Sequence, residues 1–228
     1  MLTPLLIAAV VGYLLGSLPF GYLVARAKGV NIFEVGSKNP GATNVGRVLG
    51  SGPGNLVLLL DAIKGALAVL GPLLYYRRLV EIALVDSPES ERAAVFEQGI
   101  AWEAKVAAVG LIAAILGHSF SCFTKFRGGK GVATGAGGFA VLFPLGAAIA
   151  LGVFGVVLAI SRYVSLASML AAASLPFAAF AFKQPSVVIS MSAVIAAFVI
   201  YRHRTNIARI QAGTESKVGG KKADASSP

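Results

Sequence analysis

"GVATGAGGFAVLFPLGAAIALGVFGVVLAIS", residues 131–161, is an apolar run without a single charge. A membrane-crossing helix needs roughly 20 residues, so this run is too long for one ordinary crossing and short for two. Pro144 and Gly146 sit near its middle. Proline inside a helix removes a backbone donor and clashes with the preceding turn, so a break here predicts a hairpin of two short helices. One helix or two decides on which side of a membrane everything after residue 161 lies.

Composition makes the membrane the relevant solvent. The 228 residues are 56% hydrophobic and 13% charged, with a mean hydropathy of +0.78. That is more apolar surface than a soluble domain of this length can hide, so the expected fold is an all-α integral membrane protein. Apolar segments at about 3–25, 54–76, 105–123, 164–182 and 185–201 join the hairpin to give seven transmembrane helices. The N-terminal stretch lacks the basic start of a secretion signal and its apolar part is too long for one, so it reads as a retained helix. Arg26 and Lys28 follow it, which favours an outside N-terminus and, with seven crossings, a cytoplasmic C-terminus. Of the 20 Lys and Arg, only Arg77, Arg78, Arg92, Lys105 and Lys183 then fall outside, with Lys64 inside a helix. Treating 131–161 as one crossing would set RHRTNIAR and the basic C-terminal segment opposite FRGGKG and break that asymmetry.

The net charge of +10 accordingly marks cytoplasmic loops rather than a nucleic-acid partner. Cys122 is the only cysteine and His118 and His203 the only histidines, so no disulfide framework, metal site or cofactor is expected. Residues 1–215 read as a single membrane-embedded domain. Within it, 77–105 is an acidic extracytoplasmic connector in which VFEQGIAWEAK can form a short amphipathic helix. Residues 216–228 read as a disordered basic tail.

Three polar stretches share the inner face. GSKNPGATNVGR, residues 36–47, has the glycines and Ser, Thr and Asn side chains that expose backbone N–H groups, and Arg47 adds a charge; such a loop can cradle an oxyanion or simply reverse the chain. GHSFSCFTKFRGGKG, residues 117–131, sets Gly128, Gly129 and Lys130 before the start of a helix, whose positive end suits an anion. It is not a P-loop, because GxxxxGK[ST] is absent. Arg127 and Lys125 can be ordinary inner-face anchors, and His118 can cap, pack or titrate. In YRHRTNIARIQAGTE, residues 201–215, helical spacing lets Arg202, His203 and Asn206 face one ligand; the arginines can alternatively bind anionic lipid. Asp61 and Lys64 can pair inside a helix, either for function or as a structural ion pair, and Ser165 can cap a helix or donate to the site.

Together GSLPFG (16–21), GSKNPGATNVGR (36–47), DAIKG (61–65), GHSFSCFTKFRGGKGVAT (117–134), YVSLAS (163–168) and RHRTNIARIQAGTE (202–215) resemble the PlsY family of bacterial acyl-phosphate:glycerol-3-phosphate acyltransferases. The resemblance covers about residues 3–215. It implies seven helices in the inner membrane, a site facing the cytoplasm, and transfer of a fatty acyl group from acyl phosphate to the 1-hydroxyl of glycerol 3-phosphate, giving lysophosphatidic acid and phosphate. It further implies phosphate binding by Ser37, Thr43, Asn44, Arg47, Gly128, Gly129 and Lys130, with Asn39, Arg202 and Glu215 also binding substrate or its phosphate. Ser165, His203 and Asn206 would line the reaction centre with Lys130, in a chain acting as a monomer. His203 or a substrate phosphate would take the proton. The rival readings are a carrier or receptor for an organic phosphate, and a structural protein that binds anionic lipid. The 77–105 segment is longer and more acidic than the resemblance leads one to expect.

Overall fold

The computed structural model describes residues 2–219, and all their regular structure is helical. In chain order the helices are α1 Leu2–Ser17, α2 Phe20–Arg26, α3 Ala42–Leu49, α4 Ser51–Asp86, α5 Arg92–Ser119, α6 Val132–Leu142, α7 Pro144–Ser161, α8 Val164–Ala181, α9 Ser186–Arg202 and α10 Arg204–Gln211. Five stretches are long and apolar enough to cross a bilayer: α1 with α2, α4, α5 with its flanking turns, α7 and α8. Helix α9, at 17 residues, falls just short of that length and makes a sixth only when taken together with α10, from which it is bent by 55°.

The apolar run breaks where expected, but into unequal parts. Phe143 precedes a proline, which disfavours the helical conformation there, and it leaves the helix at φ −144° and ψ 76°. Pro144 then opens α7, where its missing N–H costs nothing. The halves have 11 and 18 residues, so α6 alone is ~16 Å long, about half a bilayer core.

Small residues let the helices meet at backbone distance, the usual means of association where lipid is as apolar as the interface. Gly12 and Gly16 of α1 lie against Gly110 and Ala114 of α5, and Gly65 of α4 lies against Thr134 of α6; a Cβ at any of the three would overlap its neighbour's backbone. The largest buried apolar cluster joins α5, α6, α8 and α9 through Leu111, Ile115, Phe139, Leu175, Ile195 and Val199.

The expected connector at 77–105 is instead two helix ends. Helix α4 runs on to Asp86, ~54 Å from its start, and after a short 3-10 turn at Glu89–Glu91 the chain enters α5. Ala, Leu, Glu and Arg dominate this stretch and are strong helix formers, so it has no reason to unwind on leaving lipid. The Arg77 guanidinium donates to both oxygens of Glu103 at 3.0 and 2.9 Å, and Tyr76 donates to the Gly99 carbonyl at 3.2 Å, tying the two ends together. The stretch expected as a short separate helix is the first part of α5.

Val218, within the expected 216–228 tail, is hydrogen-bonded to the end of α7. The Val218 N–H donates to the Arg162 carbonyl and Arg162 Nε donates back to the Val218 carbonyl, both at 2.9 Å. The rest of that expected tail, residues 220–228, lies outside the described residues.

Candidate active site

The polar motifs meet at one end of the bundle around a cavity of about 160 Å³. Its first wall is the loop before α3. The Asn44 amide closes this loop on itself, donating to the Val35 carbonyl at 3.1 Å while its oxygen accepts the Ser37 N–H at 2.8 Å. Gly36, at φ 58°, passes so close to Asn44 that any side chain there would overlap it. Asn39 accepts the Gly41 N–H at 2.9 Å. Both asparagines line the cavity; Asn44 engages backbone through its oxygen and its Nδ2, Asn39 through its oxygen alone. The Asn39 amino group joins Ser37, Thr43 and Arg47, also in the lining, in facing a ligand.

The second wall is the loop that carries Lys130. Gly129 donates its N–H to the His118 carbonyl at 3.0 Å, and Arg202 donates to the carbonyls of Gly128 and Gly129 at 3.2 and 2.8 Å. Arg202 also stacks on Phe120 with 5.2 Å to the ring centroid. The two glycines and Arg202 thus brace the loop from behind the cavity rather than line it. A Cβ at Gly128 would overlap the His118 carbonyl and one at Gly129 the His118 ring, so close packing is what requires glycine here. Arg127 lies 4.5 Å from the Phe33 ring centroid, anchoring the loop to the α2–α3 connection. Lys130 itself lines the cavity and donates to Asn206 Oδ1.

The third wall comes from α8, the end of α9 and α10. Glu215, which is 7% exposed, is a hub: Oε1 accepts from Ser165 Oγ at 2.8 Å and Asn206 Nδ2 at 2.7 Å, and Oε2 accepts from Arg209 Nε at 2.7 Å. Glu215 itself lines the cavity, and through these bonds it orients Ser165 and Asn206. His203 Nδ1 lies 2.7 Å from the Val199 carbonyl. A carbonyl only accepts, so Nδ1 carries the hydrogen and Nε2 keeps its lone pair.

Electrostatics favour an anion. The first residues of α3, α6 and α8 line the cavity, and each such helix start carries partial positive charge from unpaired N–H groups. Burial, outweighing the favourable charge of Glu215 and joined by the repulsion of Arg209, Arg47 and Arg202, pushes the Lys130 ammonium from 10.5 down to about 8. Burial, reinforced by Lys130, pushes His203 from 6.5 down to about 4, so its imidazole is neutral at pH 7. Burial would raise the Glu215 carboxyl, but hydrogen bonds from Arg209, Asn206 and Ser165 overcome it and hold the group below the usual range.

Beneath the cavity lies a buried polar cluster. Lys64 Nζ is 2.7 Å from Asp61 Oδ1 and donates to the Leu18 carbonyl at 2.8 Å. Asp61 and His118 line the cavity floor while Lys64 stands behind them.

Sequence reasoning missed three features. Arg209, read from sequence only as one of the arginines available to anionic lipid, follows Asn206 by three residues on α10 and donates to Glu215. Ser168, one helical turn from Ser165, lines the same cavity. The third feature is an apolar groove of about 220 Å³ that shares Leu58, Val132, Ala133, Phe154 and Ser168 with the polar cavity. It continues between α6, α7 and α8 along Gly135, Ala147, Ala150, Ala171 and Ala172. Only the spacing of small residues on three separate helices could have signalled it.

A bundle of apolar helices with a cation-lined cavity at one end, opening into an apolar groove, defines a membrane protein shaped for an amphipathic molecule with an anionic head. The chain belongs to the glycerol-3-phosphate acyltransferase family, whose model matches residues 6–213. A glycerol-3-phosphate acyltransferase of Geotalea daltonii is 44% identical over 204 residues, covering 90% of this chain and 92% of the relative. One from Acaryochloris marina is 42% identical over 215 residues, covering 94% and 92%. A crystal structure of PlsY, an integral membrane glycerol 3-phosphate acyltransferase in its glycerol 3-phosphate form, is similar with a TM-score of 0.77 at 38% identity, covering 94% of this chain and 96% of that one. Its lysophosphatidic acid form gives 0.74 at 38% identity, covering 93% and 94%.

Proposed function

We propose that the protein transfers a fatty acyl group from acyl phosphate directly to the 1-hydroxyl of glycerol 3-phosphate. The observation that carries this reading is the join of cavity and groove, a cationic chamber of about 160 Å³ that shares its wall with an apolar slot of about 220 Å³. Both substrates are anions, one with a long chain, and bringing them together is mainly a matter of orientation and charge.

Lys130, Arg47 and the helix starts hold the phosphates against their mutual repulsion, with Ser37 and Thr43 as hydroxyl donors, while the acyl chain lies in the groove. The glycerol oxygen attacks the acyl carbonyl carbon. A C–O ester bond forms, the bond from that carbon to the phosphate oxygen breaks, and phosphate leaves with the electron pair. The hydroxyl proton passes to His203 Nε2, whose low basicity in the empty site rises beside two bound anions. Ser165 and Asn206, oriented by Glu215, line the reacting atoms. An acyl phosphate carries its own good leaving group, so no covalent enzyme intermediate is needed.

The same reading has seven crossings, with α6 as a short one. The N-terminus is outside, the cavity faces the cytoplasm from the inner membrane, and the chain works as a monomer. The test is to incubate purified protein with acyl phosphate and labelled glycerol 3-phosphate and look for lysophosphatidic acid. Product without any thioester present supports the reading. No product, with glycerol 3-phosphate crossing a proteoliposome membrane instead, overturns it.

A further inference from the structure

The buried cluster under the cavity is not used by the chemistry just described. Asp61 and Lys64 are 2% and 3% exposed, and burying two charges inside a bundle costs more than apolar packing would. Lys64 has a partner besides Asp61 in the Leu18 carbonyl, at the break between α1 and α2. The second neighbour of Asp61 is His118, whose Nδ1 lies 3.6 Å from Asp61 Oδ1 and 3.2 Å from Thr134 Oγ1. One edge of the imidazole thus hydrogen-bonds Thr134 of α6 and faces the Asp61 carboxylate of α4 just beyond hydrogen-bond distance. Its other edge, at Nε2, is packed against Gly129, where there is no room for a Cβ. The backbone of His118 holds the same residue, through the 3.0 Å bond from the Gly129 N–H. Opposite, Arg202 grips the carbonyls of Gly128 and Gly129. The next residue is Lys130.

We propose that Asp61 is a positioning residue of the transfer reaction, fixing the His118 ring against which the Gly129 peptide rests and thereby setting where Lys130 stands in the cavity. The proposal rests on the acyltransferase reading for its consequence, but its geometry concerns binding of a phosphate and can be read without turnover. Asp61 also lines the cavity floor, so what marks the route through His118 and Gly129 is coupling: removing Asp61 and removing His118 should do the same damage once.

The test uses full-length protein in detergent and three variants: Asp61→Leu/Lys64→Met, which replaces the ion pair with apolar side chains of similar bulk, His118→Gln, and all three substitutions together. The readouts are the melting temperature, the Kd for glycerol 3-phosphate by calorimetry, and the rate of lysophosphatidic acid formation. The double variant is expected to melt near the parent while binding glycerol 3-phosphate about 10-fold more weakly. His118→Gln should lose a similar factor, and the triple variant no more than either. The pH at which binding fades on the alkaline side should also move upward, because a loosened loop lets water reach Lys130, which otherwise feels Glu215, Arg209, Arg47 and Arg202. Parent-like Kd in the double variant would mean the pair only packs, and losses that multiply would mean Asp61 acts independently of His118; either overturns the proposal. A parent protein that binds glycerol 3-phosphate but forms no product overturns the acyltransferase reading and leaves these binding outcomes to decide the role of Asp61.

Discussion

Lys130 is a half-buried cation whose charged neighbours are mostly other cations, and that sets opposite pH trends for stability and activity. Its folded value of about 8 lies below the ordinary 10.5. Between these values the unfolded chain binds more protons, so stability rises with pH across that window. On the proposed reading Lys130 binds phosphate through its charged ammonium, so turnover is expected to fall above about 8. Activity lost while the melting temperature holds or rises therefore separates titration of the site from unfolding. Lys130→Ala should lower kcat/KM by about 100-fold or more, as removal of an electrostatic donor to reacting charge typically does. Lys125→Ala should leave most of the activity, because Lys125 is exposed and outside the cavity lining; equal losses would misplace the site. His203 gives the mirror case. Its value of about 4 lies below the ordinary 6.5, so the stability of the neutral, buried ring is complete above 6.5 and is lost as pH falls toward about 4. Melting curves between pH 7.5 and 4.5 should show that slope, and His203→Gln should flatten it and cost turnover.

At the scale of elements, the groove makes a claim about α7 and α8. Ala147, Ala150, Ala171 and Ala172 keep the slot open, so Ala172→Phe should obstruct it. Turnover of palmitoyl phosphate should fall about 10-fold or more, while that of a four-carbon acyl phosphate, whose chain ends before the obstruction, changes little. Equal losses for both donors would mean the chain lies elsewhere. The groove was illegible in the sequence because its alanines belong to three helices whose facing depends on tertiary packing. The break at Phe143–Pro144 was legible, since proline acts locally. Gly128 and Gly129 stood out for a sound reason, close backbone approach, but what approaches them is the His118 ring and carbonyl. Asn44 likewise looked like a ligand group, and the Val35 carbonyl that engages it lies nine residues upstream, beyond any motif. The helical content of 77–105 was readable from its Ala, Leu, Glu and Arg, and was hidden by reading charge as a sign of irregular structure.

For the whole molecule, the contact between Arg202 and Gly129 bears on topology. Both loops then sit on one face, which requires an even number of crossings between residues 129 and 202. Helices α6, α7, α8 and α9 supply four, provided that α6, at 11 residues, returns the chain across the membrane. Counting 131–161 as one crossing would leave three and pull the loops apart. The exposed Cys122 offers a direct measurement, since no other cysteine competes with it. In vesicles with the cytoplasmic face outward, a membrane-impermeant maleimide should label Cys122. In a Cys122→Ser background it should label Ala212→Cys, just after α10, from that same side. Ser90→Cys, in the exposed turn between α4 and α5, should react only in vesicles of the opposite orientation. Labelling of residues 122 and 212 from different sides would break the parity, and the shared cationic cavity with it. Labelling of both from outside would keep the fold and the cavity but invert the protein, placing the site away from the compartment where both substrates are expected.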